Sequence, residues 1–549
     1  MNGRVRRRGN SQRLVWTVGL PLVIIVVVVI VVVMKLGGDK WFATLSVSDD
    51  NIETLIKGTG FSDDNWKFDS GNNVYYQIGL RYAMKSVSDT YETMGIYVPG
   101  QYLTCVENGD KYKCAVNETE ELNGYTSQDA PMVMPIEGTE YEAVKAPSSY
   151  NYRMIADYVK RGFVYLAVGY RGRMDKQAGA GGAPWGVVDI KAAIRYVRYK
   201  GDLIPGNKSA IFVSGAASGG TLAAVLGASG DSLLYDPYLE EIGAVMSYDD
   251  GGMISDAVMG VNTWSLAEEL AIADMAYEWN MGQYSRDLTD PKQELSKDLS
   301  QEYVNYVNAV GFVGDGVALS LESEMGGGYY DYIVGIVEQS LNNYLMDKYN
   351  DEKGRSTYLA RLGDWVSYEN GWATITDFAG FIKKQRPAKR DIPAFDRLDG
   401  SSAENGLFVN GDNKAMHFDN YLLSVLSGSD YGVENVADYQ SDIASVDAEG
   451  TSQWIRVLMY SPTVYLLDYY GDTLDNSSIV APYWRVREGT LRADVSMVTG
   501  ANLTLALKNY PGVGLVDYEM IWGEEQVERV ELAVEEYVSW VESVTKKSV

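Results

Sequence analysis

Between Val213 and Ser232 the chain reads VSGAASGGTLAAVLGASGDS: a β-branched run, AIFVSG, enters a Gly-rich turn and then a small-residue helix, TLAAVLGA. Such a strand–turn–helix presents one side chain at its apex, the arrangement used by a hydrolytic serine in the pattern G-x-S-x-G. From Gly215 to Gly219 the residues are G-A-A-S-G, so the apex position is Ala217 and Ser218 follows one place late. Acyl transfer needs a nucleophilic hydroxyl, an imidazole to take its proton and a carboxylate to orient that imidazole. A methyl group supplies none of these. The single histidine, His417 in NKAMHFDNY, precedes the C-terminal loops, against the order serine, acid, histidine that goes with this motif. Two readings stand: a degenerate site at Ala217 with His417 as a structural residue, or an ester hydrolase that works through Ser218.

The elements around this turn read as α/β architecture. MGIYVPG, GFVYLAVGYRG and SAIFVSG are short apolar runs ending in glycine, which predicts buried parallel strands. In PWGVVDIKAAIRYVRYKG, Val187, Ile190, Ile194 and Val197 fall at spacings of three and four, one apolar helix face. Strands alternating with helices place a parallel-rich sheet between helical layers. From 256 to 459 the pattern shifts to Tyr- and Glu-rich helical segments such as LAEELAIADMAYEW and DYIVGIVEQSLNNYLMDKY, read as a helical cap inserted between 61–255 and 460–549. Val527, Val530, Val534, Val538 and Val541 mark a closing helix.

The N-terminus carries Arg4, Arg6, Arg7, Arg8 and Arg13 ahead of an apolar run from Leu14 to Met34. As a helix that run spans roughly 31 Å, the thickness of a bilayer core. VVVMKLGGDK offers no small-residue cleavage site, so the run predicts a single-pass signal anchor over 14–34, with 1–13 cytoplasmic, 35–60 a linker and the large domain extracellular. The formal net charge is −28, a field that disfavours nucleic acid and anionic surfaces. Cys105 and Cys114 flank VENGDKYK, whose Asn-Gly pair is a hairpin signal, and outside the cell they should form a disulfide. No phosphate-binding, dinucleotide-binding or zinc pattern is present in the sequence, and Asp249 and Asp250 in SYDDGG lack the spacing of a calcium loop, so no cofactor or metal is expected.

Several segments in the same order resemble the bacterial tannase and feruloyl-esterase-like branch of the α/β-hydrolases. They are GYRGR (Gly169–Arg173), VVDIKAAIRYVR, GAASGGTLAAVLGASGDS, ADMAYEW (Ala273–Trp279), IPAFDRLDGSSAENGLF (Ile392–Phe408), WRVREGTLRADVS and VDYEMIWGEEQ. The resemblance implies an α/β-hydrolase fold with an inserted cap and an activity on phenolic esters. It places the nucleophile on Ala217. The family pattern R-H-G-T-x-D-R-D-T-S, laid on REGTLRADVS, puts the catalytic acid on Arg492 and a second acid on Asp494. The histidine, four residues after a tryptophan, falls on Gln526 after Trp522. Each of the three departs from the chemistry required; glutamine, for one, cannot relay a proton near neutral pH.

Other implied positions keep their charge. A lysine that reads phenolic hydroxyls, three residues before P-A-F-D, falls on Arg390, and its two partner carboxylates fall on Glu404 and Asp494. Ser218 and the Tyr170–Arg171 loop are expected to supply oxyanion-hole amides. The resulting expectation is a membrane-anchored, extracellular pseudoenzyme that binds a small phenolic ester or acid, or a protein partner. The alternative is an active carboxylic ester hydrolase.

Overall fold

The computed structural model describes residues 60–173, 181–322, 325–409, 414–471, 477–525 and 530–546. The basic tail, the apolar run 14–34, nearly all of the linker, and Gln526 lie outside them. Among the described residues no helix is long and apolar enough to cross a membrane.

The central sheet has nine strands: β1 Lys67–Asp69, β2 Val74–Arg81, β3 Thr93–Pro99, β4 Met132–Ile136, β5 Val164–Val168, β6 Ile211–Ala216, β7 Gly260–Leu266, β8 Tyr483–Gly489 and β9 Leu515–Ile521. Their spatial order is β1-β2-β3-β5-β4-β6-β7-β8-β9. The first three strands and β5 pair antiparallel, and every pairing from β5 to β9 is parallel. All of β3 is buried, as expected, but it is antiparallel to both neighbours, not parallel. An apolar run covered on both faces carries no information about strand direction.

Helices α1 Tyr152–Val159, α2 Trp185–Tyr199 and α3 Ala217–Ala228 follow β4, β5 and β6. The face read from sequence on α2 is fully buried at Val187, Ile190, Ile194 and Val197. Long helices α4 Asp290–Val310 and α5 Gly328–Lys348 belong to the insertion, and α6 Val498–Asn509 and α7 Val530–Thr545 return to the core. Alternate strand residues serve opposite faces. Phe212 of β6 meets Trp540 of α7 at 5.9 Å, whereas α3 lies on Val261 and Trp484 from the other side. That approach is close enough that a Cβ on Gly227 would sit 2.2 Å from Val261.

The expected cap boundary at 256 needs correction. Gly260–Leu266 is a central strand, so the insertion begins after Leu266. The polar Asn262, Thr263 and Ser265 hide that strand from a hydropathy reading, yet all three are buried. The insertion is also not purely helical, since Val366–Glu369 pairs with Trp372–Ile375 in a hairpin.

Cys105 and Cys114 face each other across the hairpin Leu103–Asn108/Lys111–Val116 and are bonded, as their setting predicts. The bond closes a short loop, so replacing both cysteines by alanine should cost about 2–3 kcal/mol. The midpoint of urea unfolding measures this; an unchanged midpoint would mean that the hairpin is held by its packing alone.

Candidate functional site

The turn between β6 and α3 is held open by glycines. A Cβ on Gly215 would lie 2.3 Å from the Gly219 carbonyl oxygen, and one on Gly219 would lie 2.3 Å from that of Ile136. Ala217 sits at the apex with φ +50°, a left-handed conformation that alanine adopts only with strain. Its carbonyl accepts the Ala267 amide at 3.1 Å, which ties the turn to the end of β7.

Ser218 is buried at the start of α3, and its hydroxyl makes no hydrogen bond among the described residues. His417 is engaged in the cap: Nδ1 lies 2.8 Å from Asp396 Oδ1, and the ring stacks on Tyr439 at 3.7 Å between centroids. A structural histidine fits these contacts.

The expected oxyanion donors on the Tyr170–Arg171 loop are already used. The Tyr170 amide donates to Val144 O at 2.9 Å, and the Arg171 amide donates to Asp189 Oδ2 at 2.9 Å. Arg171 is a buried anchor, bonded through its guanidinium to Asp189 at 2.6 Å and stacked over Trp185. The segment that does reach the turn is the one after β4. Gly138 has φ +142°, and a Cβ there would stand 2.8 Å from Tyr170 Oη and 3.8 Å from Ser218 Oγ. Sequence reading passed over IEGTEY; the available signal was a glycine two residues beyond a strand that neighbours the elbow strand.

Arg492 is buried. Its Nη1 donates to the carbonyls of Ser265 and, at 2.6 Å, Leu266, and its Nε donates to Asp494 Oδ1 at 3.2 Å. Burial alone would raise the Asp494 pKa, but the Arg492 charge and hydrogen bond outweigh it and hold the carboxyl below its usual range. Arg390 binds the Asp494 carbonyl through Nε at 2.9 Å, Ala394 O through Nη1 at 3.2 Å and Glu404 Oε1 through Nη2 at 3.0 Å, over the Phe395 ring. Burial disfavours its charge, and Glu404 more than offsets that. The structure therefore brings Arg390, Glu404, Arg492 and Asp494 together as two linked ion pairs. Cap residues fix the loop that bears Arg492 and Asp494. Arg386, buried, donates to the carbonyls of Gly489, Thr490 and Val495, and Tyr277 Oη donates to Ala493 O at 2.9 Å. A separate cavity of about 470 Å³, lined by Glu137, Ser214, Ala216, Trp264 and Tyr537, opens on the α7 face and includes none of these four charged residues.

Behind this group lie three buried carboxylates. Asp274 accepts the amides of Ala394, Phe395 and Asp396. Asp396 accepts those of Phe418 and Asp419, together with Asn405 Nδ2. Asp419 caps the helix Asn420–Leu426 through Oδ1, while its Oδ2 makes no hydrogen bond among the described residues. Burial, with Asp396 nearby, raises the Asp274 pKa from 3.8 to about 7, and burial with Asp274 nearby raises that of Asp419. A carboxyl whose folded pKa is raised stabilises the fold fully only below its unfolded value, and that contribution is lost as pH rises through the folded value. The urea midpoint should therefore fall between about pH 4 and about pH 7 through this cluster, and Asp419→Asn should flatten the fall. Parallel profiles for the two proteins would refute it.

Residues 122–249 match the BD-FAE family model. Together with the sheet order and the elbow, this defines the fold as that of an α/β-hydrolase-like esterase. The chain resembles, more particularly, the bacterial tannases. It is 26% identical to a tannin acyl hydrolase from Lactobacillus plantarum, with a TM-score of 0.68 over 86% of this chain and 94% of that one. A tannin acyl hydrolase in complex with ethyl gallate matches at 25% identity and a TM-score of 0.69, over 90% of this chain and 100% of that one. A Fusobacterium nucleatum tannase has the same fold, at a TM-score of 0.70 and 24% identity over 89% of this chain and 99% of that one. No curated protein matches the chain.

Proposed function

We propose that this protein is a membrane-anchored, outward-facing tannase-like protein that binds a small phenolic ester or acid, or a partner that presents one, without hydrolysing it. The observation that carries the reading is the methyl group of Ala217 at the apex of an otherwise intact elbow. The paired charges support it. Glu404 and Asp494 are acceptors for phenolic hydroxyls, and Arg390 is a cation for their oxygens, a donor set that suits a hydroxylated ring. The anchor rests on the arginines and the apolar run Leu14–Met34. Solved tannin acyl hydrolases have been captured with ethyl gallate and with 3,4-dihydroxybenzoate, and the site here is proposed for the same ligand class.

The test is hydrolysis of methyl gallate and methyl ferulate by the purified outer domain at high protein concentration, with free acid followed by chromatography and binding followed by calorimetry. Binding without release above a heat-denatured control is expected. Release that disappears in Ser218→Ala would establish the active-esterase alternative instead.

A further inference from the structure

On the sheet face that α7 covers, Trp540 packs against Phe212 of β6. Strand side chains alternate, so Ser214 and Ala216 share that face, and the parallel register sets Asn262 and Trp264 of β7 beside them. Serine and alanine are small, and among the described residues α7 contributes only Val534 and Tyr537 opposite them. Packing that is complete at Phe212 therefore gives way, toward the C-terminal ends of the strands, to the cavity of about 470 Å³. That volume lies in the range of small-molecule sites. The elbow helix α3 covers the other side of the sheet, against Val261 and Trp484.

The lining is aromatic and rich in donors. Tyr158 of α1 joins three phenol rings, its centroid 5.1 Å from that of Tyr165 in β5 and 6.2 Å from that of Tyr537. All three are buried, and burial before any other influence pushes their pKa values up, so each keeps a proton to donate. Asn262 gives its Oδ1 to Arg485 Nη1 at 3.1 Å, which leaves the amide N–H groups as its contribution. The Trp264 indole N–H completes no hydrogen bond among the described residues. The charged members of the lining, Glu137, Arg153 and Asp157, are exposed and of mixed sign. Arg485, 5.3 Å from the Trp264 ring, is already paired with Glu536 at 2.5 Å. An ion inside would be buried without a free counter-charge. An uncharged ring with acceptor oxygens meets rings along its faces and O–H and N–H groups at its oxygens.

We propose that the cavity on the α7 face is a second ligand site, for an uncharged aromatic molecule whose oxygens accept hydrogen bonds, such as a methoxylated arene. It is independent of the phenol-binding reading, because none of Arg390, Glu404, Arg492 and Asp494 lines it. The two sites differ in chemistry as well as place. Carboxylates among the four charged residues suit ring hydroxyls, and the α7-face cavity suits ring ethers.

Calorimetric titration of the full-length protein with methyl 3,4,5-trimethoxybenzoate tests this, since that ester has acceptor oxygens and no hydroxyl to give to Glu404 or Asp494. Wild type should bind it, and Glu404→Gln should bind it equally well. Val534→Trp, which adds bulk to the cavity wall, should weaken binding about tenfold or more. Tyr158→Phe keeps the ring and removes one donor, and should weaken binding about five- to tenfold, the value of one hydrogen bond. That second variant decides the matter if the urea midpoint shows Val534→Trp to be misfolded. No heat of binding in wild type would overturn the site, whatever methyl gallate does. Binding equal to wild type in both cavity variants would overturn it too, and a loss in Glu404→Gln would then put the ester among the charged residues.

Discussion

Ala217→Ser, Arg492→Asp and Gln526→His, introduced together, should raise the release of gallic acid from methyl gallate by on the order of 10³-fold or more, whereas Ala217→Ser alone should stay near background. The elbow already presents residue 217 in the left-handed turn that a nucleophile occupies, so the backbone needs no rebuilding. What a lone serine would lack is a base, and the one histidine of the chain is paired with Asp396 in the cap. Chromatographic assay of the single, double and triple variants decides it. A single variant as active as the triple one would mean that residues 492 and 526 do not stand at the acid and base positions. A folded triple variant that binds methyl gallate and releases nothing would refute the whole register.

Arg492→Ala should destabilise the protein by about 3 kcal/mol, a large fraction of the stability of an ordinary domain. The guanidinium caps the carbonyls of Ser265 and Leu266 at the end of β7 and neutralises the half-buried Asp494, and alanine would leave the two carbonyls and the carboxylate without their donor. Arg492→Lys keeps the charge but not the fork, so it should recover only part of the loss. Arg492→Asp without Gln526→His should be the least stable of the set, because it adds a carboxylate beside Asp494. Urea midpoints of the three variants give the order. An Arg492→Ala midpoint within error of wild type would show that the strut is dispensable.

Much of this was legible in the sequence because it depends on local spacing. The α2 face, the bonded cysteine hairpin and the elbow register follow from residues within a turn or two of one another. Arg390, Glu404 and Asp494 were found only through resemblance, since they converge from two cap segments and a core loop. The direction of β3 and the membership of Gly260–Leu266 in the sheet were not legible, because burial on both faces and buried polar residues erase the alternation that marks a strand.

The elbow itself has one more consequence. At φ +50° a glycine would rest without strain, and alanine gives up roughly 1 kcal/mol by comparison. A turn shaped by stability alone would favour glycine at that apex. Ala217 keeps a Cβ there, so a molecule entering above the turn meets a methyl group rather than bare backbone.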